Sequence, residues 1–201
     1  MIYPKSLENL IDSFKMLPGI GEKTAERLAF SILDCNEDAV MEFGNNLLNI
    51  KNNIKKCKLC GSLTDNEVCS ICSDSYRDKT KIIVVKDPKD VFNIEKLGNF
   101  NGLYHVLGGL ISPIDELGPD DLSINELINR IRTGMVSEVI LAINSGIESD
   151  ITSLYLKKVL NKENVVVTRI ASGIPIGADM DYVDSLTLES ALNNRKEVLD
   201  N

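Results

Sequence analysis

The stretch Lys81-Ile82-Ile83-Val84-Val85 decides the fold of this chain. Its apolar residues follow one another without alternation, which is typical of a strand buried on both faces of a parallel sheet. A further run of this kind is EVILAI at residues 138–143, and NVVVTRI at residues 164–170 predicts another strand. Helical patterns at residues 124–131 and 152–160 lie between the runs. Strands that alternate with helices predict an α/β module built on a parallel sheet.

The amino-terminal part has a different pattern, with apolar residues at helical spacing. The residues from Ser6 to Leu17 predict one amphipathic helix, with Ser6 as its cap, and those from Glu22 to Leu33 predict a second. A third helical pattern begins near Val40 and leads into basic residues. Because no linker rich in proline, glycine or serine separates the three helices, we expect them to share one small core.

Four of the five cysteines form two CxxC pairs, Cys57-Lys-Leu-Cys60 and Cys69-Ser-Ile-Cys72. Two intervening residues let both thiolates of a pair converge on one ion, and four cysteine ligands are typical of a structural zinc site. One zinc per chain would supply folding free energy to a segment with few apolar side chains. An iron–sulfur cluster, disulfides and a redox couple are alternatives, but a cytosolic setting and two adjacent pairs favour a metal. We expect Cys35 to be a small buried or half-buried thiol.

The turn between the first two predicted helices, Leu17-Pro18-Gly19-Ile20-Gly21, has the composition of an anion site. Gly19 and Gly21 permit a tight turn and leave N–H groups uncovered at a helix amino terminus, where a phosphate oxygen is favoured. Lys23 and Arg27 lie four residues apart on one helical face and could reach successive phosphates. An ordinary turn followed by a solvated helix face is the alternative. These four residues predict binding to a phosphate backbone without sequence preference. The stretch resembles the helix-hairpin-helix motif, which implies that this backbone is that of DNA.

Charge and hydropathy argue against three classes of protein: those that coat nucleic acid, those that span a membrane and those that are secreted. The formal net charge is −8, from 22 Lys and Arg against 30 Asp and Glu, which argues against coating of nucleic acid by bulk electrostatics. No apolar stretch approaches the roughly 20 residues that cross a bilayer. The first ten residues carry acid and amide groups where a signal peptide needs an apolar centre. We therefore expect that this chain is neither a membrane protein nor a secreted one, and that it works in a reducing, cytosolic setting.

The order of these parts resembles that of the RecR family of bacterial recombination mediators. Besides the glycine turn and the cysteines, the resemblance is carried by GLYHVLGG at residues 102–109 and RIASGIPIG at residues 169–177. It implies an α/β fold with a small all-α amino-terminal module and a Toprim-type parallel sheet flanked by helices. The implied modules are a helix-hairpin-helix DNA-binding module at 1–54, a four-cysteine zinc module at 55–79, a Toprim domain at 80–174 and a carboxyl-terminal segment at 175–201, whose helix serves oligomerisation.

The resemblance also implies a function in recombinational DNA repair. A member of this family would form a homo-oligomer, from a dimer to a tetrameric ring, that acts as a clamp or scaffold on DNA. Together with RecO and RecF it would promote RecA loading on gapped DNA coated by single-strand-binding protein. Such a protein would act in the cytoplasm, associated with the nucleoid. A single glycine turn grips DNA weakly, so useful affinity is expected to need several copies in the oligomer.

Catalytic Toprim domains hold Mg²⁺ with a glutamate after the first strand and an Asp-x-Asp pair after a later one, because clustered carboxylates organise phosphoryl transfer. Here Lys86 stands at the glutamate position, and Asn144 and Gly146 stand at the aspartate positions. We therefore expect a non-catalytic scaffold. The remaining acids, which would face a partner or the DNA path, are Asp87, Glu148 and Asp150. A residual magnesium-dependent nuclease or primase and a protein-only zinc adaptor are the alternatives.

Three further side chains carry chemistry that the scaffold interpretation does not need. His105, the only histidine, lies among apolar residues of a predicted strand, and no nucleophile motif accompanies it. We expect a structural imidazole. Tyr104 and Tyr155 lack the surroundings of an activated phenol and are expected to pack in the core.

Overall fold

The computed structural model describes residues 2–195 and residue 197. The chain divides into two compact units, Met1–Ile54 and Lys55–Asn201. Residues 196 and 198–201 of the predicted carboxyl-terminal segment lie outside the described part. Among the described helices none is long and apolar enough to cross a membrane. The finer division into four modules stays a prediction.

The described residues of the first unit form three helices: α1 (Lys5–Lys15), α2 (Glu22–Leu33) and α3 (Glu37–Asn53). Helix α1 begins directly after Pro4, whose φ of −56° is already close to helical, and no side chain caps it. Ser6 therefore lies inside the first turn, and the prediction that it caps the helix is wrong. Asn36 caps α3, since its side chain accepts a hydrogen bond of 2.8 Å from the N–H of Ala39.

Helices α1 and α2 pack face to face through small residues. Ile11 of α1 and the two alanines of α2, Ala25 and Ala29, are buried, and the larger apolar residues of α1 surround them. Helix α3 has no buried residue, and Leu47 and Leu48 on it are 60% and 74% exposed. The expected core common to all three helices is therefore wrong for α3. Helical spacing predicts an apolar face but does not say what covers it.

The second unit begins with a small cysteine-bearing module and continues as an α/β layer structure. The module contains β1 (Lys55–Lys56), β2 (Leu63–Thr64) and α4 (Ser70–Ser73). Strands β1 and β2 pair antiparallel, with Lys55 opposite Thr64. The main sheet contains β3 (Lys81–Val85), β4 (Leu103–Val106), β5 (Glu138–Leu141) and β6 (Val166–Arg169). Its helices are α5 (Pro88–Glu95), α6 (Ile124–Thr133), α7 (Ile147–Leu160) and α8 (Ser185–Asn193).

The main sheet is parallel throughout, in the order β4-β3-β5-β6. Alternate residues of β3 enter the cores on its two faces: Ile82 and Val84 pack with α6 and α7, and Ile83 and Val85 pack with α5. The predicted α/β fold is confirmed. Strand β3 is buried on both faces, one face of β5 is half-buried, and the residues of the edge strand β6 are half-buried or exposed. Helix α7 begins five residues before the predicted residue 152, because its first turn carries an exposed isoleucine, Ile147, that contributes nothing to an amphipathic pattern.

Candidate metal centre and nucleic-acid interface

The four cysteines of the two CxxC pairs converge in the second unit. Their sulfur atoms all lie within 4.8 Å of one another, and the sulfurs of Cys60 and Cys69 are 3.6 Å apart. Four sulfurs around a tetrahedral zinc at about 2.3 Å would lie about 3.8 Å apart. Cys57, Cys60 and Cys69 are at most 5% exposed. The donor set therefore fits one structural zinc, with no ligand position left for a substrate.

Local backbone geometry shapes the module for this ion. The N–H of Cys57 donates to the carbonyl of Ser62 at 2.7 Å, and the N–H of Gly61 donates back to the carbonyl of Cys57 at 2.9 Å. This turn brings the first pair of sulfurs together. The N–H of Cys69 donates to the sulfur of Cys57 at 3.3 Å, and the N–H of Cys72 donates to the sulfur of Cys69 at 3.4 Å. Such donors stabilise thiolates, which are the form that binds zinc.

Burial and hydrogen bonds shift the pKa values of three of these thiols in different directions. A hydrogen bond with Cys72 and burial raise the pKa of the Cys60 thiol. Burial raises the pKa of Cys69 to about 11 against the opposing effect of the Cys72 N–H. Burial acts in the same direction on Cys57, but hydrogen bonds from backbone N–H groups outweigh it and lower that pKa to about 7. Four neighbouring thiolates need a cation, and this supports the assignment of a metal.

The cysteine module is joined to the edge of the main sheet. The N–H of Val106 in β4 donates to the carbonyl of Cys60 at 2.8 Å. Gly61 has a φ of +74°, and a Cβ at this position would lie 3.3 Å from the Cβ of Val106. The positive φ therefore favours glycine at position 61, and the close approach of the module to β4 leaves little room for a side chain there. A glycine directly after a CxxC pair is a signal that could have predicted this role.

Arg130 of α6 also contacts the metal centre. Its Nη2 donates to the sulfur of Cys72 at 3.6 Å, and its Nη1 donates to the carbonyl of Tyr104 at 2.5 Å. Sequence reasoning missed this residue, because a charged residue on an amphipathic helix predicts only a solvated face. No spacing relates it to a cysteine 58 residues away.

The predicted phosphate site lies at the start of α2 in the first unit. Gly19 has a φ of +82°, so the turn needs a glycine there. Gly21 precedes the helix in extended conformation, and no side chain caps the helix. The first hydrogen bond of α2 runs from the N–H of Ala25 to the carbonyl of Gly21, so the N–H groups of the first turn have no acceptor within the helix. A Cβ at Gly19 or Gly21 would meet nothing within 4 Å, so the approach to this terminus is open.

The two predicted cationic side chains, Lys23 and Arg27, are exposed on α2. Glu22, the acid next to Lys23, is paired with Lys15 of α1, at 2.6 Å between Nζ and Oε2. This pair offsets the negative charge of Glu22 beside the turn. The described part of the chain thus places the four predicted residues on one open surface of the first unit. Their binding to DNA stays a prediction.

Cys35 does not have the setting expected for it. The residue is exposed, and its sulfur donates to the carbonyl of Ser31 at 3.3 Å. The prediction of a buried or half-buried thiol is therefore wrong. It followed from the general preference of cysteine for the interior, whereas Cys35 comes after the last turn of α2, away from the face that packs on α1.

The three acids of the Toprim-like part have separate surroundings. Asp87 precedes α5, and its N–H donates to the carboxylate of Asp90 at 3.3 Å. Asp150 accepts a hydrogen bond of 2.6 Å from Arg169. Glu148 lines a cleft at the carboxyl edge of the sheet, together with Lys86 and Asn144. Among the described residues the four cysteines are the one group of three or more side chains able to share an ion.

His105 and the two tyrosines have structural surroundings. His105 is 1% exposed, and its Nε2 donates to the carbonyl of Ser123 at 2.7 Å, while its buried Nδ1 has no partner in the described part. Tyr104 is fully buried, and its hydroxyl donates to Glu95 at 2.8 Å. Tyr155 is partly buried against the core. The tyrosines therefore pack as expected.

The burial of His105 predicts a pH-dependent stability. Burial is the main cause that lowers its pKa from 6.5 to about 4. Well above pH 6.5 the imidazole is neutral in the folded and in the unfolded protein, so the folded state pays no cost for keeping it uncharged and the free energy of unfolding is at its highest. As the pH falls from 6.5 towards 4, the unfolded chain binds the proton first, so the free energy of unfolding falls by about 3 kcal/mol. Chemical denaturation between pH 7 and 4 measures this decrease.

The variant His105→Gln supplies the control for this titration. Glutamine keeps an amide that can donate to the carbonyl of Ser123 but has no proton to gain in this range. The variant is expected to lose the part of the decrease that lies between pH 6.5 and about 5.5, above the range in which most carboxyl groups titrate. An unchanged pH profile in this variant would assign the titration to other groups.

Comparison with protein-family models gives four matches along the chain. Residues 7–51 match the RecR helix-hairpin-helix, residues 54–74 the RecR four-cysteine zinc finger domain, residues 80–171 the Toprim domain and residues 173–196 the RecR carboxyl-terminal region. The match over residues 54–74 and the four converging sulfurs confirm the prediction of one structural zinc. The matches follow one another in the order that the sequence analysis predicts.

Proposed function

Because the chain belongs to the RecR family, as its sequence predicts, we propose that it is an oligomeric DNA-binding mediator of recombinational repair. The family supports a recombination-mediator role. The finer proposal is that the protein positions DNA and partner proteins without making or breaking covalent bonds. RecO and RecF would be its direct partners, and RecA loading on gapped DNA coated by single-strand-binding protein would be the outcome. It would act in the cytoplasm at the nucleoid.

One observation carries the DNA-binding part of this proposal. The start of α2 combines N–H groups that lack an acceptor within the helix with a turn that no side chain covers. A helix amino terminus of this kind favours a phosphate oxygen through hydrogen bonds and the helix dipole. Lys23 and Arg27 add two exposed cations on the same helix. Contacts of this type bind the DNA backbone and do not depend on base sequence.

The variant Lys23→Ala/Arg27→Ala tests these contacts. We expect DNA affinity to fall by about tenfold or more, because two phosphate contacts are lost in each engaged protomer. The slope of log affinity against log salt should become shallower by about 1.8 for each such protomer on duplex DNA. Fluorescence anisotropy with labelled duplex at several salt concentrations measures both quantities.

Lys157→Ala/Lys158→Ala is the matched control for charge, because it removes two exposed cations from a helix of the other unit. It should change DNA affinity much less than the α2 variant. Equal losses in both variants would assign binding to net charge, and unchanged binding in the α2 variant would remove these contacts from the proposal. Zinc content should stay at the wild-type value in both.

The charge of the chain supports an oligomer. A protomer with a net charge of −8 repels DNA at long range, and one turn offers only a few contacts. Several copies of the α2 surface on one assembly would raise the effective concentration of each contact. The carboxyl-terminal segment carries exposed apolar residues suited to joining protomers, among them Ile176, Tyr182 and Leu186.

The surroundings of the acids support a scaffold instead of an enzyme. Asp150 is paired with Arg169, Asp87 lies at the start of α5, and Glu148 faces a cleft that also contains Lys86. A two-metal or one-metal phosphoryl-transfer site needs carboxylates that share an ion. The proposal gives these three acids the role of contacts for a partner protein.

A further inference from the structure

The four sulfurs of the metal centre differ in the groups that hold them. Two of them accept hydrogen bonds from backbone N–H groups: Cys57 from Cys69 at 3.3 Å and Cys69 from Cys72 at 3.4 Å. The sulfur of Cys60 lies 3.6 Å from that of Cys69. Cys72 is also the least buried of the four. Among the described residues its sulfur receives its hydrogen bond from a side chain, Nη2 of Arg130 at 3.6 Å.

A zinc ion bound by these four thiolates would carry a net negative charge, which a cation beside Cys72 would stabilise. Zinc with four thiolates carries two net negative charges, and three of its ligands are almost fully buried. A buried charge without compensation is costly. Lys58 lies within the first CxxC pair, but it is exposed and paired with Glu67 at 2.9 Å. Among the described residues, Arg130 is the cationic side chain that contacts a sulfur of the centre directly.

The guanidinium group of Arg130 is held in place by a second acceptor and by the helix that carries it. Its second nitrogen, Nη1, donates to the carbonyl of Tyr104 in β4 at 2.5 Å. The helix that carries Arg130 is anchored in the core by the buried residues Leu127 and Ile131. Arginine suits this place because its planar fork can serve two acceptors at once, which a lysine ammonium on a flexible stem cannot do with the same geometry.

We propose that Arg130 completes the zinc centre as a positioning residue, which holds the Cys72 sulfur by a charge-assisted hydrogen bond and lowers the reactivity of that thiolate. Cys72 and Arg130 line the same surface cleft, so an electrophile in solvent reaches this sulfur first. A hydrogen bond to a thiolate withdraws electron density from sulfur and makes it a weaker nucleophile. The proposal does not depend on the proposed DNA binding.

Zinc affinity gives the first test. Partners of this kind typically change metal affinity by 10–100-fold, and we expect a loss in this range for Arg130→Gln. Competition with the chromogenic chelator 4-(2-pyridylazo)resorcinol measures it on the full chain. The matched control is Arg132→Gln in the same helix, since Arg132 is exposed and paired with Glu163. Equal losses in the two variants, or no loss in Arg130→Gln, would overturn the proposal.

Two further measurements separate a bond to sulfur from a merely structural role. In the cobalt-substituted protein, loss of the hydrogen bond raises the energy of the sulfur lone pairs, so the sulfur-to-cobalt charge-transfer band should move to longer wavelength in Arg130→Gln. Because the thiol of Cys35 is exposed, alkylation is measured in proteins that carry Cys35→Ser. N-ethylmaleimide should alkylate zinc-loaded Arg130→Gln/Cys35→Ser faster than zinc-loaded Cys35→Ser, and peptide mass mapping should find the first label on Cys72. Lys79→Gln changes a charge in the same cleft and should leave the band in place.

Arg130→Lys decides the question if Arg130→Gln does not fold. Lysine keeps the positive charge but cannot serve the sulfur and the carbonyl of Tyr104 together. Its charge-transfer band and its alkylation rate should therefore lie between those of the wild type and those of a centre without the hydrogen bond. Wild-type values for zinc affinity, band position and alkylation in Arg130→Lys would overturn the proposal.

Discussion

The variant Cys60→Ser is expected to lose zinc and to unfold the segment from Lys55 to Ser73, while the three-helix unit stays folded. Zinc bound by four cysteines contributes on the order of 10 kcal/mol to the folding of small metal modules. This segment has little else to hold it, because the apolar cluster around the cysteines consists of the cysteines themselves with Val68 and Ile71. Serine neither ionises at neutral pH nor binds zinc well.

The loss of stability in Cys60→Ser should extend from the cysteine module into the main sheet. The carbonyl of Cys60 accepts a hydrogen bond from Val106, and Ile71 packs against the cores on both faces of the sheet. Both contacts depend on the folded module. We therefore expect a lower midpoint for thermal unfolding of the second unit as well.

Hydrogen exchange followed by mass spectrometry checks this expectation segment by segment, together with zinc content by atomic spectroscopy. Amides of residues 55–73 should lose protection, and those of α1 and α2 should keep it. Cys35→Ser is the matched control, since this thiol is exposed and outside the cluster. Retained protection in residues 55–73 of zinc-free Cys60→Ser would show that the module folds without metal.

The variant Arg77→Leu is expected to lower the free energy of unfolding by about 3 kcal/mol, near the lower end for breaking a buried ion pair. Arg77 is 13% exposed at its side chain and forms a bidentate pair with Glu95. It also donates to the carbonyls of Phe100 and Gly102 at 3.4 and 3.3 Å. Leucine would leave the Glu95 carboxylate partly buried, with the hydroxyl of Tyr104 as its remaining donor.

A double-mutant cycle with Glu95→Leu measures the coupling between the two side chains. The double variant should be more stable than Arg77→Leu, because it leaves no unpaired charge. Arg132→Leu provides the surface comparison: its pair with Glu163 has a 59% exposed arginine and should contribute less than about 1 kcal/mol. Denaturation in urea gives all four values. Equal effects of Arg77→Leu and Arg132→Leu would show that burial does not strengthen the Arg77 pair.

The sheet and the metal centre could be predicted from the sequence because each is recorded in local patterns. Strand β3 shows its burial in an unbroken apolar run, and the ligands of one ion lie in two short motifs. The turn at Gly19 is local in the same sense, since a positive φ follows from the glycine itself. Such features need no knowledge of distant residues.

The features that sequence reasoning missed depend on contacts between distant residues. Arg130 meets Cys72 only after α6 has packed on the sheet, and the contacts of Arg77 join residues on either side of α5. The exposure of α3 could not be predicted either, because the sequence pattern of an apolar helix face is the same whether or not another element covers that face. Tertiary packing decides these cases, and one sequence does not record it.

The strand order β4-β3-β5-β6 has a consequence for synthesis on the ribosome. Strand β3 emerges first, β4 adds to one side of it, β5 to the other, and β6 to the outer side of β5. Each new strand thus joins a border that is still free when it leaves the exit tunnel, and none has to be inserted between two strands already paired. The nascent chain can therefore build its largest layer stepwise from the amino end, a route that limits the time during which unpaired segments are open to aggregation.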